Sequence, residues 1–210
     1  AGANFYYMDY DNQLVQTGQQ SDIGEALTTN VKKSYRMGVE ITAGWAPFSW
    51  MSLEGNAALS ENKIKDFDEY VAASDADWNP IDPVCTHYSN STLAYSPSAI
   101  LNGFVDFHHK GFSATWHTNF VSKQYLNNSE FSSMPCYSQS DLSLAYQSDV
   151  KKALGIKNVK VGLDFNNVFA RHYAMMAYDF GEYVDGKRGN WFSYIPAAGF
   201  NVMAHLTLKF

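Results

Sequence analysis

The histidines are the residues best suited to metal binding or general-base chemistry. His108 and His109 are adjacent, whereas His117 and His205 are far apart along the chain. A metal site needs ligands that meet at one point, and only the distant pair His117 and His205 falls on matching strand faces. The sequence therefore favours polar filling of an interior over a metal centre for the six histidines, which are His87, His108, His109, His117, His172 and His205.

The sequence carries no motif typical of a hydrolase. The motif G-x-S-x-G is absent, and no serine stands beside a histidine in a way that sequence alone can pair. We therefore expect no enzyme activity and no cofactor.

Carboxylates are concentrated in the segment 63–97, where oxygen ligands for calcium are conceivable. The spacing of an EF-hand and its central glycine are absent, so a solvated loop is favoured over a metal site. The carboxylates belong to Asp66, Asp68, Glu69, Asp75 and Asp77.

Two cysteines, Cys85 and Cys136, have no metal-binding spacing. Both fall in long predicted loops, and in an oxidising compartment a disulfide between the two cysteines would join these loops. Sequence does not fix the distance between them, so a disulfide and two free thiols remain open alternatives.

Aromatic side chains in the predicted long loops are candidates for stacking on sugars or flat ligands. Loop packing and an interfacial aromatic belt are the competing explanations. The ligand-binding candidates are Trp78, Tyr88, Trp191 and Tyr194.

Composition restricts the class of protein that must position these residues. The chain has 210 residues, a net charge of −6, 46% apolar residues and 16% aromatic residues. The charge gives no reason to expect nucleic-acid binding, and aromatic richness favours pleated sheets. No apolar run approaches the roughly 20 residues of a transmembrane helix, but a membrane β-barrel hides its apolar band in alternate positions. No leader pattern opens the sequence, which suggests a processed protein or a piece of a longer one.

Alternation of apolar and polar residues predicts about eight strands and no clear helix. In the second predicted strand, 33–46, Val39 and Ile41 lie on one face, and Glu40 and Thr42 lie on the other. The predicted strands are 2–16, 33–46, 49–62, 98–109, 111–125, 138–148, 157–169 and 197–210.

The connections between these strands alternate in length, and an up-and-down order places the short ones at one end. An outer-membrane barrel has short periplasmic turns and long extracellular loops. The long loops predicted on the extracellular side are 17–32, 63–97, 126–137 and 170–196.

Periodicity alone does not separate a membrane barrel from a soluble β-sandwich, because both need two unlike faces. Several predicted strands have 12 residues or more. Soluble strands average about 5–6 residues and tilted membrane strands need about 9–11. Tyrosine and tryptophan near the strand ends also suit a membrane interface. The membrane barrel is the favoured interpretation, and the sandwich remains the alternative.

An ordered series of short motifs resembles the carboxy-terminal part of a TonB-dependent outer-membrane receptor. It comprises "SPSAILNGFVDFHHKGFSATWHTNFVSKQYLNN", "SQSDLSLAYQ", "VKVGLDFNNVFARHY" and "IPAAGFNVMAHLTLKF". The segment 1–62, with "YDNQLV" and "SYRMGVEI", resembles the preceding strands of such receptors, and the match is weakest over 63–97. The resemblance implies an all-β fold of antiparallel transmembrane strands that form the last part of a barrel of about 22 strands.

The same resemblance implies a function and a set of partners. Residues 1–210 would be the carboxy-terminal barrel segment of an importer for a scarce nutrient such as a metal chelate, vitamin, glycan or peptide, located in the bacterial outer membrane. Partners would be the remaining strands, the plug, TonB acting through the plug, and outer-membrane lipid, with a surface lipoprotein lid left open. The plug and the energy-coupling box of the family are not in this sequence. A soluble carbohydrate-binding sandwich and a self-contained eight-stranded barrel are the alternatives.

The end of the chain alternates most strictly of all. Its apolar residues are expected to face lipid, and its polar residues to face the barrel lumen. The expected lipid-facing residues are Phe200, Val202, Ala204, Leu206, Leu208 and Phe210. The expected lumen-facing residues are Asn201, His205 and Lys209.

Overall fold

Strands account for nearly all of the regular structure in the chain. The computed structural model describes residues 1–20, 23, 25–153, 155–189 and 191–210, and these contain fifteen strands and no helix. The first eight are β1 (Gly2–Gln20), β2 (Ala26–Phe48), β3 (Met51–Ser74), β4 (Pro80–Thr92), β5 (Ala99–His109), β6 (Phe112–Val121), β7 (Gln124–Tyr125) and β8 (Ser133–Met134). The others are β9 (Tyr137–Ala153), β10 (Ile156–Asn166), β11 (Ala174–Asp179), β12 (Tyr183–Val184), β13 (Lys187–Arg188), β14 (Phe192–Pro196) and β15 (Asn201–Lys209).

Eight long strands form one antiparallel sheet in the order β1-β2-β3-β5-β6-β9-β10-β15. This up-and-down order confirms the predicted fold class. The sheet does not close on itself, because β1 pairs only with β2 and β15 only with β10 among the described strands. None of the described residues forms a helix long and apolar enough to cross a membrane.

Strand pairing brings the alternating residues of neighbouring strands into register. Val161 lies opposite Leu206 on one side and Tyr146 on the other, whereas Lys160 lies opposite Thr207 and Gln147. The same matching continues across the sheet and creates one apolar face and one polar face. The exposed apolar face includes Phe5, Tyr7, Met37, Ile41, Trp45, Leu59, Leu101, Val105, Phe107, Tyr146, Val161, Leu163, Val202, Leu206 and Leu208.

Aromatic rings form a row along the short-turn end of this apolar face. Phe48 stacks on Trp50 at 4.8 Å between ring centroids, and Trp50 meets the edge of Phe107 at 5.4 Å. Phe107 in turn lies 6.1 Å from Phe112. Further along β1 and β2, away from the short turns, Tyr7 stacks on Tyr35 at 6.1 Å.

Several predicted strand boundaries were wrong, most clearly at the third strand. That strand continues past residue 62 to Ser74, and β4 returns over Pro80–Thr92, so most of the segment predicted as the loop 63–97 is a hairpin. Both of its faces mix charged and apolar residues, such as Asp68 with Tyr70 on one and Glu69 with Val71 on the other, which hides the alternation. The predicted loops 17–32, 126–137 and 170–196 also contain strand residues, and β15 begins at Asn201 rather than at 197.

The buried core lies at the long-loop end rather than between two layers of sheet. One cluster joins Val15, Val31, Ile64 and Leu93. A second joins Leu126, Met134 and Ala177. Arg36, on the polar face of β2, donates to Ser96 Oγ at 3.4 Å, so the segment after β4 lies over this face.

The turn between β5 and β6 depends on a glycine in the left-handed region. Lys110 and Gly111 have φ values of 46° and 82°, as a two-residue hairpin turn requires. The Gly111 carbonyl accepts from Gln147 N at 2.8 Å, and a Cβ on Gly111 would overlap the Gln147 carbonyl oxygen.

We expect Gly111→Ala to destabilise the sheet by more than about 1 kcal/mol, because it adds both backbone strain and this overlap. Gly103→Ala is the matched control, since a Cβ there meets no atom within 4 Å. Free energies of unfolding in urea should fall for the first variant and stay unchanged or rise slightly for the second. Equal effects would contradict this account of the turn.

Candidate functional site

Three connections converge at the long-loop end of the sheet. They are the outer part of the β3–β4 hairpin (65–92), the segment 126–134 and the excursion 174–194, together called the loop cluster. The short turns lie at the other end of the strands. Because these connections emerge from separate strands, side chains must hold them together.

A buried aspartate ties the second connection to the third. Asp179, only 2% exposed, accepts from Asn127 Nδ2 at 2.5 Å, Ser132 Oγ at 2.7 Å and Gly181 N at 2.8 Å. Tyr95 donates from its hydroxyl to the Ala177 carbonyl at 2.9 Å, and its burial raises the pKa of Tyr95 to about 12. The excursion is therefore anchored through its first strand, β11.

A buried ion pair ties the third connection to the hairpin. Arg188 Nη1 lies 2.8 Å from Glu69 Oε2, with side chains 8% and 14% exposed. Ser129 donates to the same carboxylate at 2.8 Å, and the Arg188 guanidinium lies 4.1 Å from the centroid of the Phe131 ring. Burial opposes the charged guanidinium, but the hydrogen bond and charge of Glu69 outweigh it and raise the pKa of Arg188 above its ordinary value. Glu69 thus joins all three connections.

Backbone pairing extends this junction to the hairpin tip. Tyr183 and Val184 of β12 pair in parallel with Ala73 and Ser74 of β3. The adjacent Asp185 N donates to the Ser74 carbonyl at 3.1 Å.

Two of the four aromatic candidates meet at this tip. Trp78 and Trp191 stack with their ring centroids 5.7 Å apart and their planes 13° from parallel. They remain 58% and 44% exposed. Asp75 shapes the turn that carries Trp78, since its carboxylate accepts from the Asn79 side chain and from the backbone N–H groups of Asn79 and Asp77. The same bonds lower the pKa of Asp75.

The other two aromatic candidates lie elsewhere. Tyr88 stacks on Phe67 at 5.4 Å and is half-buried. Tyr194 meets the edge of Phe192 at 5.0 Å on β14. Sequence reasoning missed Asp179 and Arg188, and it considered Glu69 only as a calcium ligand. The reason is that the partners of these side chains lie far away in the sequence, so no local pattern marks them.

The cysteines do not form a disulfide in this structure. Cys85 and Cys136 are both exposed free thiols. Cys85 lies on β4 opposite Tyr70 of β3, whereas Cys136 lies just before β9. Of the two alternatives left open by the sequence, the structure contains the free thiols.

The polar face of the sheet carries a network of hydrogen bonds. Asn102 Oδ1 meets His117 Nε2 at 3.1 Å and accepts from Asn119 at 3.0 Å, while its amide donates to Asn56 at 2.9 Å. His117 Nδ1 also lies 3.7 Å from Asp141 Oδ2. Both ring nitrogens of His117 therefore have polar neighbours on this face.

His205 has a separate partner on the same face. Its Nδ1 lies 3.2 Å from Asp164 Oδ2, and its ring covers Gly162, where any side chain would collide with it. Nearby, Asn166 donates to Asn201 at 2.9 Å, and Lys209 lies opposite Asn158. His117 and His205 are separated by the intervening strands β9 and β10, so the structure does not bring this pair together. The described residues contain no group of three or more potential metal ligands.

We expect Glu69→Gln to loosen the loop cluster, because it leaves a buried guanidinium without its counter-charge. Removing one member of a buried pair typically costs about 3–5 kcal/mol. Hydrogen exchange should become faster at the backbone amides of 126–134 and 174–189. Asp11→Asn, which breaks the exposed pair with Lys33, is the control and should leave these amides unchanged. Unchanged exchange in Glu69→Gln would contradict the assignment.

Comparison with solved structures gives the fold a context. The chain resembles the ferric-catecholate import receptor Fiu from E. coli K12 with a TM-score of 0.58 and 14% identity, over 99% of this chain and 25% of that one. The copper transporter OprC gives a TM-score of 0.64 and 17% identity, over 97% of this chain and 28% of that one. The ferric citrate transporter FecA gives a TM-score of 0.60 and 16% identity, over 99% of this chain and 28% of that one. The chain therefore spans about a quarter of the length of these proteins.

No curated protein sequence matches the chain. The family model described as TonB dependent receptor-like, beta-barrel, matches residues 1–168, which include seven of the eight sheet strands in full, all except β15. With the motif series, the open up-and-down sheet and the solved neighbours in agreement, the chain belongs to the TonB-dependent receptor β-barrel family.

Proposed function

We propose that this chain forms part of the wall and extracellular mouth of an outer-membrane active importer for a scarce nutrient. The family is one of outer-membrane nutrient receptors. The observation that carries the proposal is the continuous apolar face of the open sheet, with Phe5 80% exposed and Leu206 63% exposed. Exposed apolar surface on this scale needs a cover, and lipid is the cover that the family provides.

The height of the apolar face supports a membrane span. On β3, the apolar positions run from Met51 to Leu59, and the next residue on that face, Glu61, is charged. Nine residues fit a tilted strand that crosses a bilayer in about 9–11 residues. The aromatic row Phe48–Trp50–Phe107–Phe112 would then lie at the periplasmic interface, where aromatic rings are enriched.

The opposite face supports the rest of the proposal. Its asparagines, histidines and carboxylates would line the lumen and meet the plug, through which TonB acts. The strands missing from β1 and β15 would come from the remainder of the receptor. A soluble sandwich would need a second sheet over the apolar face, and the described strands provide none. A self-contained barrel would need β1 to pair with β15, which it does not.

The Trp78–Trp191 pair is the proposed ligand contact within the mouth. Stacking turns one face of each indole toward the other, and the exposed remainder of the pair offers an apolar ring face that suits a sugar ring or another planar ligand. Asp77 directly precedes Trp78, and Asp185 contacts Ser74 at the same hairpin tip through its backbone N–H. Both aspartates are exposed, which favours a neutral or cationic ligand over an anionic chelate.

Leu206→Arg should destabilise the lipid-embedded receptor by about 2–4 kcal/mol, because it places a charge against the bilayer core. Thr207→Arg, one residue along the same strand, should be mild, since that position belongs to the polar face. Urea unfolding in lipid vesicles measures both free energies. Equal tolerance would refute the assignment of the two faces.

Replacing Trp78 and Trp191 together by alanine should weaken ligand binding roughly tenfold or more, as loss of a central aromatic anchor does. Calorimetry with ferric catecholate, ferric citrate, Cu²⁺ and a set of neutral oligosaccharides would measure it. Trp50→Phe, at the far end of the sheet, is the control and should bind as the parent does. An unchanged affinity in the double variant would remove the pair from the site while leaving the importer proposal intact.

A further inference from the structure

One edge of β3 lacks a strand partner over eight residues. Pairing with β2 ends at Ser34 and Ile64, and on the same edge β12 begins to pair at Ala73. The opposite edge is occupied by β4 throughout, since Ile64 also pairs with Ser91 and Ala73 with Ile81. No described strand pairs with residues 65–72 on the β2 side.

The gap arises because two hairpins diverge at the loop end. Beyond Ser34, β2 pairs only with β1 among the described strands, and β3 pairs only with β4 until β12 joins it at Ala73. Between them lies a cleft of about 140 Å³, with Thr29 on one wall and Phe67 and Tyr70 on the other. Asn128 lines the cleft, where its amide donates to the Gln16 carbonyl of β1 at 2.9 Å and its Oδ1 accepts from Ala94 N at 2.8 Å.

The same edge already holds an extended segment of this chain. β12 pairs with it in parallel, and Asp185 N continues the contact at the Ser74 carbonyl. A free strand edge presents alternate N–H and C=O groups that an incoming strand can pair with. The unpaired residues 65–72 lie directly before the part that β12 occupies.

Charge on the outward face of this edge indicates the chemistry of an incoming strand. Asp66 and Asp68 have side chains 68% and 53% exposed. His87 lies beside both carboxylates, with Nδ1 at 2.7 Å from Asp68 Oδ1, and Lys65 lies 3.6 Å from Asp9. The inward positions are Phe67, Glu69, which Arg188 already neutralises, and Val71. A complementary strand has basic residues outward and small β-branched residues inward.

We propose that residues 65–72 of β3 are a docking edge for an extended basic segment of a partner protein, which adds to the sheet as a further strand. The edge lies beyond the apolar face, so a bilayer does not cover it. This interaction is separate from nutrient transport and does not depend on the Trp78–Trp191 pair.

The test uses the full receptor in detergent and a synthetic peptide, Lys-Thr-Lys-Val-Lys-Thr-Lys-Val. Two isomers of the peptide carry N-methyl groups, one on every lysine and the other on every threonine and valine. Residues alternate in the direction of their N–H groups along a strand, so only one isomer keeps its donors toward β3. That isomer should bind like the parent peptide, and the other should bind at least about tenfold more weakly, because several hydrogen bonds are lost.

Two receptor variants and one further measurement locate the site. Asp66→Asn with Asp68→Asn should weaken peptide binding, whereas Asp82→Asn, an exposed carboxylate on β4, should not. In the free receptor, alternate amides within 65–72 should exchange quickly, and the peptide should slow them. Failure of the parent peptide to bind, equal binding of the two isomers, or slow exchange of all these amides without peptide would each overturn the proposal.

Discussion

Backbone hydrogen bonding is the constraint on which the rest of this structure depends. A strand inside a bilayer cannot leave N–H or C=O groups unpaired, so each strand must have neighbours over its full membrane-spanning length. Here eight strands form a continuous antiparallel ladder, in which the six inner strands have neighbours on both sides and β1 and β15 each have one described neighbour. Because side chains alternate along each strand, pairing in register gathers most of the apolar residues on one face. The same register gathers the polar ones on the other face.

That constraint weakens where the ladder ends. At the long-loop end, the β1–β2 and β3–β4 hairpins separate, and backbone pairing alone no longer holds the structure together. Side chains replace it, with Asp179 collecting three donors and Glu69 joining Arg188 and Ser129. Buried polar networks of this kind need every partner present, since an unpaired member is costly. The loop cluster is therefore one connected unit.

The two ends of the sheet consequently differ in character. The short-turn end is set by local chemistry, as in the Lys110–Gly111 turn, where φ values of 46° and 82° match a two-residue hairpin. The long-loop end is set by contacts between residues distant in sequence. Proposed ligand and partner contacts lie at this second end, where separate segments meet and where strand edges are left open. A continuous sheet thus carries the connections in which binding is proposed, a common division of labour in binding proteins.

The sequence by itself determined most of the long sheet strands and their faces, because alternation with period two and turn residues such as Gly111 are local properties of a chain. The family came from the resemblance of an ordered series of motifs. It placed Leu206 and His205 on opposite faces, and the register agrees. It did not predict that β3 continues to Ser74, since beyond the apolar face both sides of this strand mix charged and apolar residues and the alternation is lost. Nor could it pair Glu69 with Arg188 or Trp78 with Trp191. Those contacts join residues more than a hundred positions apart, and only the tertiary structure decides such distances.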